Sequence, residues 1–66
     1  MKKNAEFEKT ALPHLHHVFS FAYKLTGNRQ DAEDLTQEAF LKAFASFDSF
    51  RKGTNMKAWL FTITVP

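Results

Sequence analysis

The 66-residue chain has no cysteine, two glycines and two prolines, and no apolar run longer than four residues. Each scarcity excludes something. Without cysteine there is no disulfide staple, thiolate metal site or sulfur nucleophile. Two isolated glycines cannot form a glycine-rich phosphate loop. The short apolar runs are far below the length of a membrane span. The opening Met1-Lys2-Lys3-Asn4 is basic but lacks the apolar stretch of a signal peptide, so the cytoplasm is the expected location. The length leaves room for one small domain and excludes two-domain enzymes and large barrels. Charge is nearly balanced, with nine cations against seven anions. Phenylalanine is abundant at eight residues, enough large side chains for a core.

Hydrophobic spacing predicts an all-α fold, a compact three-helix bundle with a short N-terminal helical lead-in over residues 6–10. In the first helix Ala11, Leu12, Leu15, Val18, Phe19, Ala22 and Leu25 recur at intervals of three and four. His16, His17, Ser20 and Lys24 fall opposite them. Thr10 is the expected cap, Pro13 fits the first turn, and Gly27 supplies a left-handed stop. Asn28 opens the second helix and Asp31 completes a capping-box-like pair. Its apolar face gathers Ala32, Leu35, Ala39, Phe40, Ala43, Phe44 and Phe47. Its outer face holds Asp34, Gln37, Glu38, Leu41 and Ala45. Leu41 is the anomaly, a large apolar residue on a polar side. After a turn-rich loop over residues 48–55, Thr54 or Asn55 caps a third helix with Met56, Trp59, Leu60 and Ile63 on its core stripe.

Charge is segregated along the chain. Residues 28–40 carry Arg29 against Asp31, Glu33, Asp34 and Glu38, a net of −3. Residues 41–66 carry Lys42, Arg51, Lys52 and Lys57 against Asp48, a net of +3. Two contact surfaces of opposite sign are expected. On the first, Leu41 beside Asp34, Gln37 and Glu38 reads as a binding epitope. On the second, Phe50, Arg51, Lys52, Lys57, Trp59 and Phe61 interleave cations with aromatics, which suits single-stranded nucleic acid. Trp59 also fits the core stripe.

The chain offers little for catalysis or metal binding. His14 and His17 are helical neighbours, but His16 points about 160° away from His14, and surface histidines account for all three. The carboxylates of residues 31–38 fit solvated positions at a helix start. No enzyme, cofactor or metal is expected.

The string Asp31-Ala32-Glu33-Asp34-Leu35-Thr36-Gln37-Glu38-Ala39-Phe40, with Leu25-Thr26-Gly27-Asn28 before it, resembles the region-two domain of bacterial sigma factors. Phe47-Asp48-Ser49-Phe50-Arg51 and Ala58-Trp59-Leu60-Phe61 extend the likeness, which is greatest for the extracytoplasmic-function (ECF) group. The resemblance implies a helical bundle whose Asp34, Gln37 and Glu38, anchored by Leu41, dock on the β′ clamp helices of core RNA polymerase. It also implies that Phe50, Arg51, Lys52, Asn55, Lys57 and Phe61 meet the non-template single strand of the promoter −10 element, with an anti-sigma factor as a further partner and no membrane contact. Residues 1–66 are read as one such domain. Thr62 stands where the family commonly has a cation, and with Thr64-Val65-Pro66 following, the resemblance leads to the expectation that the distal part of the −10-reading helix and the −35-binding domain are missing. The alternative is a truncated interaction module that binds polymerase or an anti-sigma factor without opening DNA.

Overall fold

The computed structural model describes residues 2–51 and 53–65. These form an all-α bundle of four helices: α1 (Lys2–Ala11), α2 (Leu15–Thr26), α3 (Arg29–Ala45) and α4 (Met56–Thr64). Short 3₁₀ turns at Leu12–His14 and Phe47–Ser49 complete it. The lead-in expected over residues 6–10 is thus a ten-residue helix in its own right. Its anchor is Phe7, only 6% exposed, whose ring meets Phe40, Phe44 and Phe47 edge-on at 6.2, 5.3 and 5.3 Å. Lys3 adds a second tie, with Nζ 4.7 Å from the Phe44 ring centre and 3.5 Å from Asp48 Oδ2.

Pro13 lies in the 3₁₀ turn between α1 and α2, not in the first turn of one long helix. A proline lacks the N–H an interior helical turn requires and crowds the carbonyl four residues earlier. The tighter 3₁₀ winding interrupts the 100° register on which the expected stripe depended. Leu12 therefore emerges on the surface instead of in the core, 46% exposed. Leu15 and Leu25, at the two ends of α2, are equally exposed, whereas Val18 and Ala22 between them are fully buried.

The turn from α2 to α3 follows the chemistry of its residues. Gly27 adopts φ 81°, a conformation that costs a side-chain-bearing residue about 1 kcal/mol or more, and its N–H donates to Tyr23 O at 2.8 Å. Asn28 then caps α3: its Oδ1 accepts from the Asp31 N–H, and its Nδ2 donates to the Asp31 carboxylate, both at 2.8 Å. Such a cap stabilises a helix by about 1 kcal/mol. Small buried side chains at Ala32, Thr36, Ala39 and Ala43 line the inner face of α3. Ala39 and Ala43 pack with Val18 of α2 and with Met56 and Leu60 of α4 in the central core. Thr36 and Thr64 are buried as well, each satisfying its hydroxyl on the carbonyl four residues back, Ala32 O and Leu60 O, at 2.7 Å.

Candidate functional site

The outer face of α3 has the arrangement expected of it. Asp34, Gln37, Glu38 and Leu41 are all exposed, and Leu41 is 66% accessible. Glu38 is paired with Lys42 one turn on, Oε1 to Nζ 3.0 Å, and Arg29 with Glu33 at 3.3 Å. Exposed pairs of this kind contribute about 0.5 kcal/mol and open readily for a partner's charge. Asp34 makes no ion pair among the described residues.

Beside this strip lies an open groove of about 1000 Å³, which the sequence did not announce. Leu12, Leu15 and Phe19 form one wall; Phe40, Leu41 and Phe44 of α3 form the other. Periodicity assigned Leu12 and Leu15 to the core, so only the 3₁₀ break at Pro13 reveals them as surface. Gln37 and Leu41 are the residues that belong to both groove and polar strip.

The basic half is built from the loop and α4. The Arg51 carbonyl accepts from both the N–H and the hydroxyl of Thr54, at 3.2 and 2.6 Å, while Gly53 takes φ 94° to close the turn. The Arg51 side chain is exposed and joins no ion pair among the described residues. Lys52 falls outside the described residues. Asn55, not Thr54, caps α4, its Oδ1 accepting from Ala58 N–H at 3.1 Å. Phe50 is half-buried, its ring 5.0 Å from Trp59 and stacked at 6.2 Å on Phe47. Trp59 is itself half-buried against the core. Lys57 Nζ lies 5.8 Å from the Phe61 ring centre. Phe61 stacks on Phe21 of α2, centroids 4.6 Å apart. The structure thus brings Lys57 to Phe61 on α4, leaves the Arg51 side chain exposed in the preceding loop, and gives Phe50, Asn55 and Phe61 packing or capping duties as well.

The three histidines crowd one turn, with ring centres 5.3 Å apart for His16 and His17 and 5.8 Å for His14 and His17. Among the described residues, no three His, Asp or Glu side chains are grouped to hold a metal ion. No described helix is long and apolar enough to cross a membrane.

Comparison with known proteins decides the family. The model of Sigma-70 region 2 matches residues 11–65. The chain belongs to the sigma-70 region 2 family. Similar relatives are ECF RNA polymerase sigma factors, which makes this region-two domain one of the ECF group. It is 54% identical to EcfG of Rhodopseudomonas palustris over 44 residues, 67% of this chain and 24% of that protein. It is 47% identical to SigE of Mycolicibacterium smegmatis over 51 residues, 77% of this chain and 20% of the relative. To SigW of Bacillus subtilis it is 37% identical over 46 residues, 70% of the chain and 25% of the relative. The region-two domain therefore spans a quarter or less of these curated relatives. Most of α1, with its anchor Phe7, precedes the residues matched by the family model.

Proposed function

We propose that this region-two domain acts in transcription initiation by docking on the β′ clamp helices of core RNA polymerase and holding the promoter −10 element as a single strand. The observation that carries the docking half is Leu41, 66% exposed on the same outer face as Asp34, Gln37 and Glu38. Leu41 is the most exposed of the large apolar side chains among the described residues, and an interface gains from one ringed by directional polar groups. The acidic side chains suit basic positions on the partner. On the DNA half, Arg51 and Lys57 supply phosphate contacts and Phe61 an aromatic surface, with Phe50, Lys52 and Asn55 assigned by the family resemblance. Promoter opening needs no covalent chemistry. A surface that binds the unpaired strand better than the duplex shifts the melting equilibrium by that difference in affinity.

Calorimetric titration with a β′ clamp-helix fragment tests the docking half. Wild-type binding in the micromolar range or tighter, lost in Glu38→Lys, is expected; equal affinities would remove the assigned face. A second reading is favoured by the apolar groove, which shares Gln37 and Leu41 with the polar strip. An anti-sigma partner seated in it would compete with polymerase. In a transcription assay with core polymerase, a domain confined to protein contacts inhibits or does nothing, whereas the −10-binding reading requires strand capture.

A further inference from the structure

Acidic side chains are confined to α1, α3 and Asp48; α2 and α4 hold none. Where these two helices meet, Phe21 and Phe61 stack with their planes 12° from parallel. Lys57 precedes Phe61 by one turn, with its ammonium over the Phe61 ring. His17 precedes Phe21 by one turn and lies close enough to Lys57 to feel its charge. Two i,i+4 pairs, His17/Phe21 and Lys57/Phe61, are therefore joined through the stacked rings of Phe21 and Phe61. The exposed Lys24 continues the same face of α2 beyond Phe21.

We propose that His17, Phe21 and Lys24 of α2 extend the nucleic-acid surface of α4, so that a single DNA strand lies along the seam between the two helices and His17 gains a proton as a phosphate settles beside it. The proposal rests on the reading of α4 as a strand-binding helix. Its support is the one-signed charge of the seam and the stacked aromatic pair within it, the combination that recognises single strands irrespective of sequence. In the free domain partial burial, then the positive Lys57 and the neighbouring His16 and His14, hold the His17 imidazole below its ordinary range. Those are the groups that face it: Lys57 from α4, and His16 and His14 from its own segment. Among the described residues no carboxylate of α1 or α3 pairs with it. A phosphate between His17 and Lys57 reverses the local field and favours the imidazolium. Binding then takes up a proton and tightens as pH falls.

Fluorescence anisotropy with a labelled oligothymidylate at low salt tests this, with inorganic polyphosphate as a competitor that has charge but no bases. From about pH 7.5 to about pH 5.5 the wild-type affinity should rise by up to about tenfold, because binding takes up a proton. His17→Gln should abolish most of that rise, and Lys24→Ala should weaken binding at both values and lower the salt dependence. In NMR titrations the His17 imidazole pKa should increase when oligothymidylate is present. A rise that survives in His17→Gln, or a His17 pKa indifferent to the oligonucleotide, overturns the inference. If Lys57→Ala weakens binding while the two α2 variants behave as wild type, α4 binds the strand and α2 does not. No binding by wild type at either pH overturns the reading of α4 and the inference together. Displacement by polyphosphate as effective, per phosphate, as by unlabelled oligothymidylate removes the aromatic pair from the site.

Discussion

Phe21 and Phe61 lie face to face, 4.6 Å between ring centres, and join α2 to α4 at the surface above the core. Both rings are half-buried, so the contact contributes to folding as well as offering an aromatic surface. Stacked pairs are worth about 1 kcal/mol beyond the area they bury. A double-mutant cycle of Phe21→Ala and Phe61→Ala, followed by urea unfolding, should give a coupling energy of about 1 kcal/mol. Additive single effects would mean that the rings merely lie near one another.

Phe7 has a larger role than its position near the N-terminus suggests. It is the large apolar side chain that α1 buries, and three phenylalanine rings close around it. Truncation to alanine should cost about 3 kcal/mol, a large part of what a domain this small can have. The expected result for Phe7→Ala is a sharply lowered Tm by circular dichroism, with much of the α1 helicity lost. Phe7→Leu retains most of the volume and should fall between wild type and Phe7→Ala.

The contrast between Phe7 and Asn28 shows what could be read from the sequence. Asn28 with Asp31 three residues on is a local device, formed by side chains reaching neighbouring backbone, and the structure contains it as expected. Asn55 as the cap of α4, Gly27 as the stop of α2 and the exposed strip Asp34, Gln37, Glu38 and Leu41 were legible for the same reason. Helix α1 was harder, because it spaces only Phe7 and Ala11 at helical interval within an otherwise polar segment. A stripe two residues long gives little periodic signal, and the burial of Phe7 depends on three rings some 33 to 40 positions away. The groove was illegible because the exposure of Leu12 and Leu15 follows from a change of winding at Pro13, which hydrophobic spacing does not record. The family resemblance puts Phe61 near DNA; its stacking partner Phe21 belongs to another helix and is visible only once α2 and α4 are placed together.

Leu41 separates binding from folding. At 66% exposure it contributes little to the core, so Leu41→Ser should leave stability within about 0.5 kcal/mol of wild type. If it anchors the clamp-helix contact, the same change should weaken docking at least about tenfold, roughly 1.4 kcal/mol. Thermal unfolding and calorimetric titration on one preparation provide both readings. Undiminished docking would shift the interface away from the Leu41 end of α3.

His17 makes the stability of the domain depend on pH. Burial, followed by repulsion from Lys57, His16 and His14, lowers its pKa in the folded state. In the unfolded chain the imidazole returns to about 6.5, so at intermediate pH the unfolded state binds more protons than the folded one. Stability must then decrease as pH falls through about 6.5 and level off once the solution is below the folded-state pKa. The urea midpoint of wild type should therefore fall between about pH 7.5 and about pH 5.5, and His17→Gln should reduce that change because glutamine does not titrate. Added oligothymidylate should oppose the decrease in wild type, since a phosphate beside His17 would favour the imidazolium. A wild-type midpoint as pH-dependent with the oligonucleotide as without it, under conditions where the strand is bound, would mean that the strand leaves His17 in its free environment.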